Sequence, residues 1–216
     1  LHDIIRRNVR TPDHVFGDLA AQVSSGKAGG ERLVAMCKRY RLANIESLSD
    51  EIIGRSEAAT RAAIRKLKAG TYHGESRFDV PGGEVITLKS AVTIDPVAGE
   101  ISIDFAGSSD ASPSGINVVL NYTHAYSTFA IRSCLNPELP NNHGSLTPIK
   151  VTAPTGSIVN AVYPVPVAAR HVVGMYVPMP ILKALYQVMP ERVLAEGAGA
   201  VWTFQIQGKR ADGAPF

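Results

Sequence analysis

Arg170 and His171 are adjacent residues that could together bind an anion and move a proton. They follow Val165–Ala169, which carries no charge and in which Pro166 restricts the backbone. Burying an arginine beside a histidine is costly unless both are hydrogen-bonded or face a ligand. The apolar approach therefore predicts a buried catalytic pair, with Arg170 holding a carboxylate or phosphate and His171 donating or accepting a proton. In the structural alternative, Arg170 caps backbone carbonyls and His171 begins a helix within the core.

The segment Asn142-His143-Gly144 is a second candidate, at the end of a loop rich in proline and asparagine. Asparagine and glycine both tolerate left-handed backbone, so a tight loop explains the segment without any function. In the functional alternative, the Asn142 side-chain amide meets a substrate carbonyl, and His143 has no assigned role.

A third candidate is a polar stripe on the apolar stretch Asn117–Leu135, which is predicted to form a buried helix. Asn117, Asn121 and His124 fall at positions i, i+4 and i+7, and therefore on one helical face. Such a stripe either lines a cavity or contacts another element, and the sequence leaves both open. We take Asn117 and His124 as candidate substrate-binding residues.

Metal and phosphate motifs are weak in this chain. No two of the six histidines have the H-x-x-x-H spacing that places two ligands on one helical face. Gly197-Ala198-Gly199 has no following Lys-Ser or Lys-Thr and does not complete a G-x-G-x-x-G pattern, so it does not predict a phosphate loop. The sequence therefore predicts no metal ligands within these residues.

The composition is that of an ordinary globular protein. The chain has 216 residues, 45% of them hydrophobic and 19% charged, with a net charge of +3. Its densest basic cluster, Arg61 to Lys68, has helical spacing and no interleaved aromatics, which favours a solvated helix face over a nucleic-acid site. Two cysteines form no disulfide framework, so we expect a reducing, cytoplasmic compartment. No apolar run is long enough to predict a membrane span.

The elements that must position these residues begin with helices. Thr11-Pro12-Asp13 is a helix start, with a hydroxyl cap, a proline at the first position and an acid in the first turn. That helix is predicted to end near Arg41 and a second to begin near Asn44. The short connection predicts an antiparallel helical hairpin covering residues 1–69.

The remaining residues, 70–216, are predicted to form a mixed region with an antiparallel β meander. The predicted strands are Thr71–Asp79, Glu84–Asp95, Ile101–Phe105, Pro148–Ala153 and Val201–Gln207. A helix is predicted from His171 to Met189, and Pro178 and Pro180 must kink or divide it. The fold class is α+β, because helices and strands are segregated along the chain.

The order of motifs between Gly115 and Thr203 resembles the hydantoinase B/5-oxoprolinase family. A Pro/Asn-rich loop, a short strand, a Gly-Ser turn and an apolar run leading to Arg170-His171 follow one another. The family comprises the B-type subunits of ATP-dependent cyclic-amide hydrolases and of related ketone carboxylases. The chain begins at Leu1 and stops at Phe216 soon after a predicted strand, so we expect a middle-to-late fragment of such a protein.

The resemblance implies a protein that works with an A-type ATPase subunit in a hetero-oligomer. ATP, bound by that partner, would phosphorylate the carbonyl oxygen of a hydantoin or 5-oxoproline, and water would open the ring. The resemblance also implies a divalent metal whose ligands lie upstream of this fragment. The fragment alone is expected to be inactive. Two alternatives stay open: a B-type subunit of an ATP-dependent ketone carboxylase, and a non-catalytic scaffold or subunit-docking domain.

Overall fold

A computed structural model describes residues 2–80, 82–195, 197, 206 and 208–214. Their contacts divide the chain into two compact units, Leu1–Ile52 and Ile53–Phe216. The predicted domain boundary after residue 69 stays a prediction. Of the predicted strand Val201–Gln207 only Ile206 is described, so that strand lies outside the described residues, as do Ala198 and Gly199.

The first unit is helical. Helix α1 spans His2–Asn8 and was not predicted; helix α2 spans Pro12–Tyr40 and runs without interruption through its glycines. Pro12 is its first residue, as predicted, but the Thr11 hydroxyl makes no capping bond, so that part of the prediction is wrong. Helix α2 ends because Arg41 turns left-handed, with φ of 54°, and its N–H bonds the last carbonyls.

Helix α3, Glu46–Ile64, crosses from the first unit into the second. Its start is close to the predicted one: the Asn44 side chain accepts a hydrogen bond from the Glu46 N–H at 3.1 Å. The two long helices of the predicted hairpin are present, and their pairing as a hairpin stays a prediction. Ile64 at the end of α3 is fully buried in the core of the second unit.

The second unit is built on a four-stranded sheet in the order β1-β2-β3-β4. The strands are Gly70–Asp79, Val85–Asp95, Glu100–Asp104 and Ile149–Thr152. The first three pair antiparallel, which confirms the predicted meander, and β4 runs parallel to β3. Every second residue of β2 from Ile86 to Ile94 is buried, because alternate side chains point to the same face of a strand.

Helix α7, Pro178–Tyr186, packs on β1 and β2. The approach is close: a Cβ on Gly74 would lie 1.8 Å from the Pro180 carbonyl oxygen. The shorter helix α6, His171–Gly174, precedes α7, so the proline-rich stretch divides the predicted His171–Met189 helix, as expected.

Helix α4, Leu120–Leu135, packs against α7 and β4. It begins three residues later than predicted, after an extended residue at Val119. Ile131 and its neighbours on the inner face are buried, whereas Phe129 on the outer face is 63% exposed. The helix is therefore buried on one side and not all round. The whole is an α+β fold, which confirms the predicted class, and none of its described helices could span a membrane.

Candidate functional site

Asn117 lies in the extended segment before α4 and not on the predicted polar face of the helix. Its side chain is fully buried and its hydrogen-bonding capacity is used. The Oδ1 atom accepts from the Ser112 N–H at 2.7 Å, and Nδ2 donates to the carbonyls of Ser112, Ser114 and Pro166 at 2.8–2.9 Å. A substrate contact by Asn117 would require breaking these bonds.

Asn142 is also committed to the fold. It caps helix α5, His143–Leu146: Oδ1 accepts from the Ser145 N–H at 3.2 Å, and the Ser145 hydroxyl accepts from the Asn142 N–H. Its Nδ2 donates to the Ser56 hydroxyl on α3 at 2.7 Å. The predicted tight loop is a capped helical turn, and the Asn142 amide joins that turn to α3.

Arg170 and His171 lie at the surface, so the predicted burial of this pair is wrong. Arg170 directly precedes α6, His171 is its first residue, and both are exposed. The apolar run before them does not enter the core, because it is a series of turns of which Pro166 and Ala168 are themselves exposed. Their catalytic roles stay a prediction.

Tyr122 supports the Arg170 side chain. The guanidinium carbon lies 5.6 Å from the centre of the Tyr122 ring, a cation–π distance. Tyr122 stacks on Tyr126 with ring centres 4.9 Å apart and donates to its hydroxyl at 3.4 Å. That hydrogen bond, together with burial, raises the pKa of Tyr122, while the charge of Arg170 opposes the rise. Tyr122 is therefore a neutral hydroxyl at neutral pH.

Close packing of α6 against α4 holds this tyrosine in place. A Cβ on Gly174 would lie 2.3 Å from Cε1 of Tyr122, so a side chain there would displace the ring. The result is a small surface on which an exposed guanidinium lies over a tyrosine pair.

A separate cleft opens between α4 and the segment leading into α5. This α4 cleft encloses about 460 Å³. Its polar and apolar walls are formed chiefly by His124, Thr128, Phe129, Arg132, Asn141 and Leu146. The structure therefore gives His124 the cavity-lining position that was one of its two predicted alternatives.

Arg132 supplies the charge in the α4 cleft. One guanidinium nitrogen, Nη2, donates to the Leu139 carbonyl. The buried Nε has no hydrogen-bond partner among the described residues. An unpaired buried donor costs about 1–3 kcal/mol, so an oxygen acceptor bound in the cleft would offer this guanidinium a favourable partner. Arg132 was missed by the sequence reasoning, although it is the single charged residue in the predicted Asn117–Leu135 helix.

The predicted site residues do not form one site. Tyr122, which carries Arg170, and His124, which lines the cleft, are two positions apart on α4. Successive residues of an α-helix are about 100° apart, so these two side chains leave the helix about 200° apart. The dipeptide and the α4 cleft are therefore on different sides of α4.

A metal site does not form in the part of the chain that the structure describes. No three histidine, cysteine, aspartate or glutamate side chains come together there in a group that could hold an ion. These residues do not fit a divalent metal, and the metal implied elsewhere in the full-length protein stays a prediction.

Comparisons with known proteins agree with the resemblance. The family described as hydantoinase B/oxoprolinase matches residues 1–216. The B-type subunit of a putative D-/L-hydantoinase from Pseudomonas sp. (strain NS671) is 30% identical over 96% of this chain and 37% of its own length. The chain thus spans little more than a third of that relative.

Two solved structures share the fold. An ATP-dependent caprolactamase from Pseudomonas jessenii matches with a TM-score of 0.74 at 23% identity, over 88% of this chain and 34% of that one. Nucleotide-free acetone carboxylase matches with a TM-score of 0.61 at 18% identity, over 67% of this chain and 22% of that one. At these identities the likeness concerns the fold alone.

Proposed function

This chain belongs to the hydantoinase B/oxoprolinase family, and on that basis we propose that it is part of a B-type subunit that opens a cyclic amide in an ATP-dependent reaction. The observation that carries the proposal is the match over the whole chain, together with a relative named as a hydantoinase subunit. The substrate is a hydantoin or 5-oxoproline. ATP is bound by an A-type subunit, and this chain contributes to the binding of the cyclic amide.

The proposed chemistry begins with a poor electrophile, the amide carbonyl. Its oxygen attacks the γ-phosphorus of ATP and ADP leaves, giving an imidate phosphate. Water then adds to the ring carbon and loses a proton, and the ring nitrogen leaves after gaining one. A second water hydrolyses the resulting acyl phosphate and releases inorganic phosphate. The residues of the B-type subunit have two tasks: to hold an oxygen-rich substrate and to move these protons.

The α4 cleft suits the first task. It encloses a volume sufficient for a five-membered cyclic amide, with apolar walls and a few polar groups, the usual make-up of a small-molecule site. His124 and Arg132 bring a hydrogen-bonding imidazole and a guanidinium to this volume. The proposal therefore assigns substrate binding to His124 and Arg132.

The Arg170–His171 dipeptide is kept as a second location for the chemistry. Its exposed guanidinium can meet a phosphoryl or carboxylate oxygen, and its imidazole can move a proton. Because both groups are at the surface, this location requires that another part of the full-length protein or its partner cover them during the reaction. Asn117 and Asn142 contribute as supports and not as substrate ligands, since their amides are already bonded.

The test is a reconstituted reaction of the full-length B-type subunit with its A-type partner. Hydantoin and 5-oxoproline are supplied with and without ATP, and ring-opened product and ADP are measured together. We expect product only with both subunits and ATP, with one ADP formed for each ring opened.

Parallel reactions with acetone and bicarbonate separate the carboxylase alternative, since the fold is shared with acetone carboxylase. A carboxylated product without amide hydrolysis would replace the proposed function. Full activity in His124, Arg132, Arg170 and His171 variants alike would instead support the scaffold alternative for this chain.

A further inference from the structure

A second cavity, unrelated to the α4 cleft, lies between the end of α3 and the 3-10 helix Pro190–Arg192. It encloses about 530 Å³. Its floor is apolar: Leu135 and Met189 line it and are 4% and 3% exposed. We call it the cationic cavity for the side chains that surround this floor.

Three cations and one acid line the cationic cavity. Lys66 and Lys68 come from the turn after α3, and Arg192 and Glu191 come from the 3-10 helix. Within the described part of the chain, none of the three cations forms an ion pair with a carboxylate. The field in the cavity is therefore net positive, and an apolar floor makes such a field stronger than it would be in open water.

Arg192 is held in place by the fold. Its Nη1 donates to the Leu135 carbonyl at 3.0 Å, which ties the 3-10 helix to the end of α4. A guanidinium has five N–H donors, so this bond leaves others for a ligand. A positioned arginine has lost part of its conformational freedom before binding, which lowers the entropy cost of a further contact.

The helix-end position of the lysines has a structural explanation, since cations near a helix C-terminus interact favourably with its dipole. That explanation does not account for Arg192, which arrives from a segment more than a hundred residues away and joins the same cavity. We propose that the cationic cavity binds a small organic anion with an apolar body, its carboxylate against Lys66, Lys68 and Arg192. This proposal does not rest on the proposed function.

The experiment uses calorimetric titration of the full-length protein at low ionic strength with hexanoate. Two comparison ligands divide the chemistry: 1-hexanol has the apolar body without the charge, and inorganic phosphate has charge without the body. We expect hexanoate to bind more tightly than either, and its affinity to fall as salt is added, because these charges are partly exposed.

Variants place the binding in this cavity. Lys66→Gln and Lys68→Gln should each weaken hexanoate about threefold, as expected for a partly exposed charge. Lys27→Gln, on the exposed surface of α2, is the matched control and should leave affinity unchanged. His124→Ala should also leave it unchanged, since that residue lines the α4 cleft. Equal binding of hexanol and hexanoate, no saturable heat, or affinity indifferent to both cavity lysines would overturn the proposal.

Discussion

The Asn117 amide nitrogen donates to the Pro166 carbonyl oxygen at 2.9 Å, although 49 residues separate them in the chain. This bond joins the segment before α4 to the segment before α6. The two helices carry Tyr122 and Arg170, respectively beyond and beside these segments. Asn117 therefore acts on the surface around Arg170 through the backbone, without meeting a ligand.

Replacing this amide should destabilise the protein. Asn117→Ala leaves the buried Ser112 N–H and three carbonyls without their partner, and we expect a loss of about 2–4 kcal/mol in the free energy of unfolding. Chemical denaturation of the full-length protein measures it. Asn121→Ala is the control: it removes an exposed amide on α4 and should change stability by about 0.5 kcal/mol or less. Equal effects of the two substitutions would contradict the supporting role.

Gly144 should not tolerate a methyl group. Its ideal Cβ would lie 1.9 Å from the Ile53 carbonyl oxygen, so Gly144→Ala must separate α5 from α3. We expect a destabilisation of about 1–3 kcal/mol, by analogy with overpacking. The matched change is Gly54→Ala on α3, where nothing lies within 4 Å. There alanine should stabilise by up to about 1 kcal/mol through helix propensity. Thermal unfolding of both variants should therefore move the midpoint in opposite directions.

The ion-pair group around Glu100 should make stability depend on pH. A hydrogen bond from Lys150 lowers the pKa of Glu100 most, burial opposes the change, and a bond from Arg61 adds to it. A carboxyl with a lowered folded pKa stabilises the protein while ionised. Its contribution is complete above its ordinary pKa of 4.5 and is lost as the pH falls through the lower folded value.

Glu100→Gln should therefore reduce the difference in unfolding free energy between about pH 6 and about pH 3. Denaturant titrations at both values give that difference. Glu138→Gln, an exposed carboxyl, should leave it unchanged. If the glutamine variant keeps the full pH dependence, the lowered pKa does not contribute to folding.

His124 should affect the binding of substrate more than the chemical step. Its imidazole lines the α4 cleft, and removing one hydrogen-bonding group from a substrate site typically weakens binding about tenfold. We expect His124→Ala to raise KM for the cyclic amide with little change in kcat. His143→Ala, an exposed histidine of α5, controls for the loss of an imidazole nearby. An unchanged KM in the first variant would move substrate binding away from this cleft.

The dipeptide location makes a different kinetic prediction. If His171 moves a proton in the reaction, His171→Ala should lower kcat about a hundredfold, and Arg170→Ala should weaken stabilisation of the phosphorylated species. KM should change little in the histidine variant, because the group acts in the transition state. Values of kcat/KM within a few-fold of the parent in both variants would remove the dipeptide from the mechanism.

Local patterns in the sequence were sufficient for the elements of the second unit. The alternation around Ile86 to Ile94, the turn at Asp95–Gly99 and the prolines at 178 and 180 each act within a few residues. The meander and the division of the last helix could therefore be predicted from period and turn chemistry. The same reasoning missed α1 and placed the start of α4 too early, because element ends depend on weak local preferences.

The sequence alone determined the family, the α+β class and which residues could do chemistry. Only the tertiary structure decided which of those residues are free to do it. The partners of Asn117 and Asn142 lie 49 and 86 residues away, so packing of distant segments committed both amides to the fold. Packing also left Arg170 and His171 at the surface and brought Arg132 into a cleft. A side chain's neighbours are set by contacts that no local pattern encodes.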